Sequence, residues 1–152
     1  MAVQVAKLFG AAEIVAAGRD TDRLATLGEA AADVDFVIDY IWGEPTGAAM
    51  VAVVSHRADR AKPLTWIEIG SIGGATAPIP SAALRAARLS IVGSGQGSVS
   101  TRAIVTELPD LAKAITSGTF RVDARPMPLR EVEQAWREAG RSRRRIVVVP
   151  GT

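Results

Sequence analysis

The residues with the clearest chemical potential are glycines placed where apolar runs end. Residues 93–97 read Gly-Ser-Gly-Gln-Gly, directly after one apolar run and ahead of a helical pattern. That is the setting in which a glycine-rich loop cradles phosphate through its backbone N–H groups. The spacing misses G-x-G-x-x-G by one residue, because Ser98 stands where the third glycine belongs. No acidic residue at a strand end follows about twenty positions later, as ribose recognition would require. The loop therefore reads as strand-to-helix turn chemistry rather than as a diphosphate cradle. Gly18-Arg19-Asp20, the turn from Asp39 to Gly43, and Gly70-Ser71-Ile72-Gly73 close three further apolar runs. Taken singly, each glycine reads as an ordinary turn residue, and Arg19 as an exposed turn arginine beside Asp20 and Asp22.

Other chemistries find little support. The absence of cysteine excludes disulfides and thiolate-bound zinc, and a single histidine, His56, leaves no scope for a histidine-built metal site. Ser55-His56 falls within a helical pattern, which makes His56 a helix-surface residue. No G-x-S-x-G elbow occurs. The carboxylates Asp35, Asp39 and Glu68 form no evident acid/base pair, so no catalytic residue is assigned. Net charge is +2, and the basic character owes much to Arg141, Arg143, Arg144 and Arg145. A nucleic-acid surface spreads such residues over a face, whereas these read as one solvated loop, so no nucleic-acid partner is expected.

At 152 residues and 48% apolar composition the chain suits a single domain with its own core. No apolar run is long enough to span a bilayer, and no charged leader precedes a long apolar stretch. No membrane partner is expected, and a cytoplasmic location is the default.

The elements that must carry the glycine turns alternate regularly. Residues 1–9 read as helix, 13–17 as a short buried strand, and 20–27 as a helix capped by Asp20, Thr21 or Asp22. Residues 34–40 are rich in β-branched and aromatic side chains and read as a strand. Residues 46–57 are helical in pattern, with Pro45 just inside the start, where a missing N–H does no harm. A strand follows at 65–69, a short helix from Ser81, and a strand at 89–92. A helix capped by Ser100 or Thr101 runs toward Ser117, interrupted or restarted at Pro109. Residues 120–126 are extended. Residues 129–139 form an amphipathic helix with Val132, Ala135 and Trp136 on one face, and 146–149 a last strand. Alternation of strand and helix predicts an α/β fold, a mostly parallel sheet with helices on both faces.

The run AVQVAKLFGAAEIVAAGRDTDRLATLG, then VDFVIDYIWGEP, LTWIEIGSIGG and LSIVGSG, and finally PLREVEQAWREAGRSRRRIVVVP, resembles the C-terminal half of medium-chain dehydrogenase/reductases. It is most similar to the zinc-free, quinone oxidoreductase-like branch. The likeness covers nearly the whole chain and implies a partial Rossmann-like domain followed by the C-terminal segment of the family's catalytic domain. The catalytic domain proper, the first Rossmann strand and the glycine-rich turn have no counterpart here. Between Leu27 and Val34 the family's usual strand and helix shrink to GEAAAD.

The resemblance implies a zinc-independent NADP(H)-dependent oxidoreductase acting on a small carbonyl or quinone. It places Gly18 and Arg19 at the adenine ribose, where a guanidinium favours the 2′-phosphate of NADP(H) over NAD. Tyr40, Gly70, Ser71, Gly93, Ser94 and Gly95 would line the nicotinamide half of the crevice, although core packing is the simpler expectation for Tyr40 and Trp42. The alternative is a non-catalytic dimeric remnant or binding module of the same fold. Because the first Rossmann strand is central in its sheet, its absence leaves two long edges. Direct pairing of the flanking strands, or recruitment of residues 146–149 from the same or a partner chain, would fill the gap, and either favours a homodimer.

Overall fold

The computed structural model describes residues 1–18, 21–142 and 144–151, and the side chains of all of these but 21–25. In chain order the elements are α1 (Ala2–Leu8), α2 (Thr21–Ala30), β1 (Phe36–Asp39), α3 (Glu44–His56), β2 (Leu64–Glu68), α4 (Ser81–Ala86), β3 (Leu89–Gly93), α5 (Thr101–Thr116), β4 (Ala124–Pro128), a 3-10 turn at Leu129–Glu131, α6 (Val132–Ala139) and β5 (Arg145–Val149). They separate into two compact units, Glu13–Glu107 and Met1–Ala12 with Leu108–Thr152.

In the unit Glu13–Glu107, β1, β2 and β3 form a parallel sheet in that order. Parallel neighbours require crossovers, and α3 and α4 supply them. The apolar positions of α3 recur at helical spacing, so Ala49, Met50, Val53 and Val54 turn one buried stripe toward the sheet. Opposite them, Leu64 and Trp66 alternate into the same core on β2, with Ala31 and Ala83 closing its ends. Met50 and Leu64 are fully enclosed, a burial worth about 2–3 kcal/mol each. The other face of the sheet carries Phe36, Ile38 and Val92, all exposed.

Arg57, just past the end of α3, is 4% exposed and has no acidic partner among the described residues. Its guanidinium donates instead to the carbonyls of Ala32, Val34, Lys62 and Pro63 at 2.8–3.4 Å. One cation thereby ties the segment entering β1 to the segment entering β2, satisfying carbonyls that no ladder reaches.

The unit Met1–Ala12 with Leu108–Thr152 holds a second, two-stranded parallel sheet, β4 with β5. Phe120, Met127 and Ala135 are its buried apolar residues. Gln4 on α1 and Arg121 exchange two hydrogen bonds, side-chain amide to carbonyl at 2.9 Å and backbone N–H to amide oxygen at 2.7 Å.

Several expectations are corrected. Residues 13–17 form no strand; a strand exists only through its ladder, and this stretch finds no neighbour, although Val15 packs against the core. Within one chain, among the described residues, neither anticipated closure of the gap occurs: the outer edge of β1 is unpaired, and β5 pairs with β4. Helix α5 runs through Pro109 without a break, because hydrogen bonds on either side carry the helix past one missing N–H. On α6 only Ala135 of the expected apolar face is buried, while Val132 is exposed and Trp136 is 84% exposed. Helix α2 extends to Ala30, taking Gly28 into its interior. There a Cβ would lie 2.5 Å from the His56 ring and 3.0 Å from the Ala52 carbonyl oxygen, so α2 packs closely on α3 at this glycine.

Candidate functional site

In a parallel sheet every strand ends on the same side. The register here sets Asp39, Glu68 and Gly93 in one row across β1, β2 and β3. The three segments that follow them share a rim, the position where open α/β sheets receive ligands.

Asp39 organises that rim. Its carboxylate is 7% exposed and takes four hydrogen bonds. Oδ1 accepts from the backbone N–H of Ile41 at 2.8 Å and of Trp42 at 3.0 Å, an arrangement that winds the chain into a tight turn. Oδ2 accepts from the Thr46 hydroxyl at 2.6 Å and from the Trp66 indole N–H at 3.0 Å. Burial by itself would raise the pKa of the group. The bonds from Thr46, Trp42, Ile41 and Trp66 outweigh it and hold the carboxyl below its ordinary range. Asp39 is thus a fixed anion joining β1, β2, the rim turn and the start of α3.

The turn so held is strained and tightly packed. Trp42 adopts φ +53°, unusual for a bulky side chain. Gly43 follows at φ +77°, and a Cβ there would lie 2.6 Å from the carbonyl oxygen of Gly73. A Cβ on Gly73 would in turn lie 2.6 Å from the carbonyl oxygen of Trp42. Glycine is required at both because two backbones touch. The N–H of Gly73 donates to the carbonyl of Ile41 at 2.6 Å, and that of Gly74 to Ser71 at 3.2 Å.

The expected site residues fall into two groups. Tyr40, Gly70, Ser71, Gly93, Ser94 and Gly95 lie on or beside the shared rim. A Cβ on Gly70 would stand 3.2 Å from the Tyr40 carbonyl oxygen. The Gly70 N–H faces the Asp39 carbonyl at 3.3 Å, and the Ser94 N–H donates to Glu68 at 2.7 Å. Tyr40 is 48% exposed, so the simpler expectation of core packing does not hold for it. Around Gly93, Gly95 and Gly97 a Cβ would meet nothing within 4 Å, which leaves the third segment open to an approaching ligand. Within it the Ser98 hydroxyl bridges the N–H and carbonyl of Gly95. Gly18, by contrast, ends a stretch that joins no strand, and no described contact brings it to these residues. Arg19 lies outside the described residues.

Sequence reasoning missed Asp39, Thr46 and Trp66 as a unit. A signal was present: an aspartate at a strand end before a turn, and a tryptophan on a buried strand face whose N–H needs an acceptor. His56 is exposed on α3, with Nδ1 2.8 Å from the Ala52 carbonyl, as a helix-surface histidine would be. Among the described residues no group of three His, Cys, Asp or Glu is placed to hold a metal ion, and no helix is long and apolar enough to cross a membrane.

No protein-family model matches the sequence, and no curated protein matches it either. Solved structures do match it. The CurK enoyl reductase aligns over 99% of this chain and 50% of its own at 18% identity, with a TM-score of 0.65. A quinone oxidoreductase of Pseudomonas syringae pv. tomato aligns over 95% of this chain and 45% of its own at 19% identity and a TM-score of 0.58. CurA of Vibrio vulnificus, solved in complex with NADPH, aligns over 98% and 46% at 15% identity and a TM-score of 0.60. The chain spans about half the length of these proteins. At these identities the likeness is one of fold: this chain has the fold of the matching half of these proteins.

Proposed function

We propose that the chain is the nicotinamide-cofactor-binding half of a zinc-independent, NADP(H)-dependent oxidoreductase acting on a small carbonyl or quinone. The observation that carries this reading is the row Asp39, Glu68, Gly93 at one rim, with an open glycine segment at its end and a rigid Asp39-held turn at its start. A cofactor whose diphosphate and nicotinamide approach backbone closely needs such a combination of access and fixed geometry. The structural likeness to a protein solved with NADPH supports the same assignment.

The nicotinamide, when bound, supplies or accepts the hydride. This chain's contribution is position: the turns after β1 and β2 form a stiff wall, and residues 93–97 leave room beside it. Asp39 takes no part in proton transfer, since both its oxygens are engaged within the scaffold. Arg19 is assigned to the 2′-phosphate of NADP(H) on the strength of the sequence resemblance, and Gly18 to the adjoining ribose. Zinc has no part in this reading, because the chain offers no cysteine and one histidine. A homodimer belongs to it, because no strand among the described residues pairs with the outer edge of β1.

Thermal-shift titration with NADPH and NADH tests the assignment. A ligand that binds only the folded state raises the unfolding temperature by mass action. NADPH is expected to raise it and NADH to do so less, with Arg19→Ala reducing the NADPH effect selectively. No response to either cofactor at millimolar concentration would instead favour a binding module without turnover. Equal losses for both cofactors in Arg19→Ala would remove the 2′-phosphate assignment.

A further inference from the structure

In the unit Met1–Ala12 with Leu108–Thr152, β4, α6 and the turn after α6 border an open surface cleft of about 340 Å³ lined by Arg125, Arg137, Glu138, Arg141 and Ser142. Three guanidiniums and one carboxylate leave it an excess of two positive charges. Its size falls at the small end of the roughly 300–1,000 Å³ of small-molecule sites.

The charges are not equivalent. Glu138 is held from both sides, its Oε2 by Arg125 Nη1 at 2.6 Å and its Oε1 by the Gln134 amide at 2.8 Å. Those bonds, Gln134 first, keep its carboxyl ionised and below the usual range. Arg125 is thereby compensated and fixed. Arg137 makes only a long contact of 3.8 Å to Glu133, two-thirds or more of each side chain being exposed, which is worth little. The Arg141 guanidinium has no hydrogen bond or ion pair among the described residues. Basic residues at the C-terminal end of a helix offset its partial negative charge, and that is the ordinary role for an arginine placed there. One cation would serve that purpose for α6. Arg137 and Arg141 together exceed it, and Arg141 directs its donors to no acceptor among the described residues. The Ser142 hydroxyl donates to the Arg144 carbonyl at 2.7 Å and orders the turn that carries Arg141.

We propose that this cleft is a binding site for a small multivalent phosphate oxyanion, gripped by Arg137 and Arg141 against the fixed Arg125–Glu138 pair. Guanidinium forks match phosphate oxygens geometrically, and a diphosphate brings the charge that the cleft lacks. The site is independent of the cofactor rim, so it stands or falls separately from the assignment above.

Isothermal titration of the full chain with inorganic diphosphate at low ionic strength tests it, with inorganic monophosphate as a second arm. Saturable binding is expected, tighter for diphosphate than for monophosphate. Arg141→Ala and Arg137→Ala should each weaken it about tenfold, the worth of one charge-assisted hydrogen bond. Arg102→Ala, at an exposed position outside the cleft, should leave it unchanged. Both cleft residues are exposed, so neither variant is expected to unfold, and circular dichroism verifies this. Absence of saturable binding, or undiminished binding in the Arg137→Ala/Arg141→Ala double variant, overturns the proposal. So does a single-stranded oligonucleotide that binds with length-dependent affinity and is not displaced by diphosphate, which would make the surface a nucleic-acid face.

Discussion

The indole N–H of Trp66 on β2 donates to Oδ2 of Asp39 on β1 across 3.0 Å, with both residues buried. A charged acceptor deep in the fold is costly unless saturated, and saturation here joins two strands, a turn and a helix start. Replacing Asp39 with Ala leaves four donors without their acceptor, and Asn can satisfy only some of them. Either substitution is expected to lower unfolding stability by about 3 kcal/mol or more. Thr46→Val, which removes one donor, should cost closer to about 1 kcal/mol. Urea denaturation followed by tryptophan fluorescence measures both, and equal costs for Asp39→Ala and Thr46→Val would show that the hub does not act as a unit.

Acid should act through the same group. Asp39 has a folded-state pKa below its unfolded value, despite the opposing effect of burial, because four donors favour its charged form. Its contribution to stability is complete above the unfolded carboxylate value of about 4 and is lost as pH falls through the lower folded value. Glu138, lowered by Gln134 and Arg125, adds in the same direction. The unfolding midpoint is expected to fall steadily below pH of about 4, and less steeply in Asp39→Asn. A wild-type curve flat through that range would contradict the linkage.

Gly43 and Gly73 differ from Gly93 in a way that separates scaffold from site. Alanine at Gly43 would adopt a positive φ and press its Cβ to 2.6 Å from the Gly73 carbonyl oxygen, and alanine at Gly73 would meet the Trp42 carbonyl oxygen at the same distance. Each should cost about 2 kcal/mol or more. Alanine at Gly93 meets nothing within 4 Å, so stability should change by less than about 0.5 kcal/mol while NADPH binding weakens. Unchanged NADPH affinity in Gly93→Ala would exclude close backbone approach at this position.

Much of the sheet unit was legible in the sequence, because β1, α3, β2, α4 and β3 each carry a periodic apolar pattern and end at glycine, proline or a polar turn. The rim could be read as well, since parallel strands joined by helices all end on one side. The failures share a cause. Residues 13–17 have the composition of a strand, but strand formation depends on a neighbour that local composition does not encode. The face of α6 had the right period, yet whether Trp136 is covered depends on what packs there, and it is exposed. Asp39 was read only as an unpaired carboxylate because its partners Thr46 and Trp66 become neighbours through folding, across seven and twenty-seven positions of chain.

Arg57 holds the opposite end of the same sheet. Four carbonyls from two segments converge on its guanidinium, and lysine has neither the fork nor the reach to serve both segments. Arg57→Lys is expected to cost about 2–3 kcal/mol, from carbonyls left with poorer partners and an ammonium buried without a counter-ion. Hydrogen exchange should then rise first at the starts of β1 and β2. A cost near zero would mean that water replaces the guanidinium at these carbonyls.

The free edge of β1 gives the sharpest test of self-association. Thr65 N–H donates to the Asp35 carbonyl and Ile69 N–H to that of Asp39, so residues 35 and 39, and by alternation Val37, turn their backbone groups to β2. Phe36 and Ile38 therefore turn theirs outward, where no strand pairs with them among the described residues. Proline at position 38 removes an N–H that has no partner among the described residues and sets a ring against any incoming strand. Ile38→Pro is expected to keep the folded monomer while lowering the sedimentation coefficient from dimer to monomer at micromolar concentration. Val37→Pro, which removes a group turned to β2, should destabilise the fold itself. A wild-type chain that sediments as a monomer throughout would show that the edge is protected without a second copy, and the strand-addition dimer would have to be abandoned.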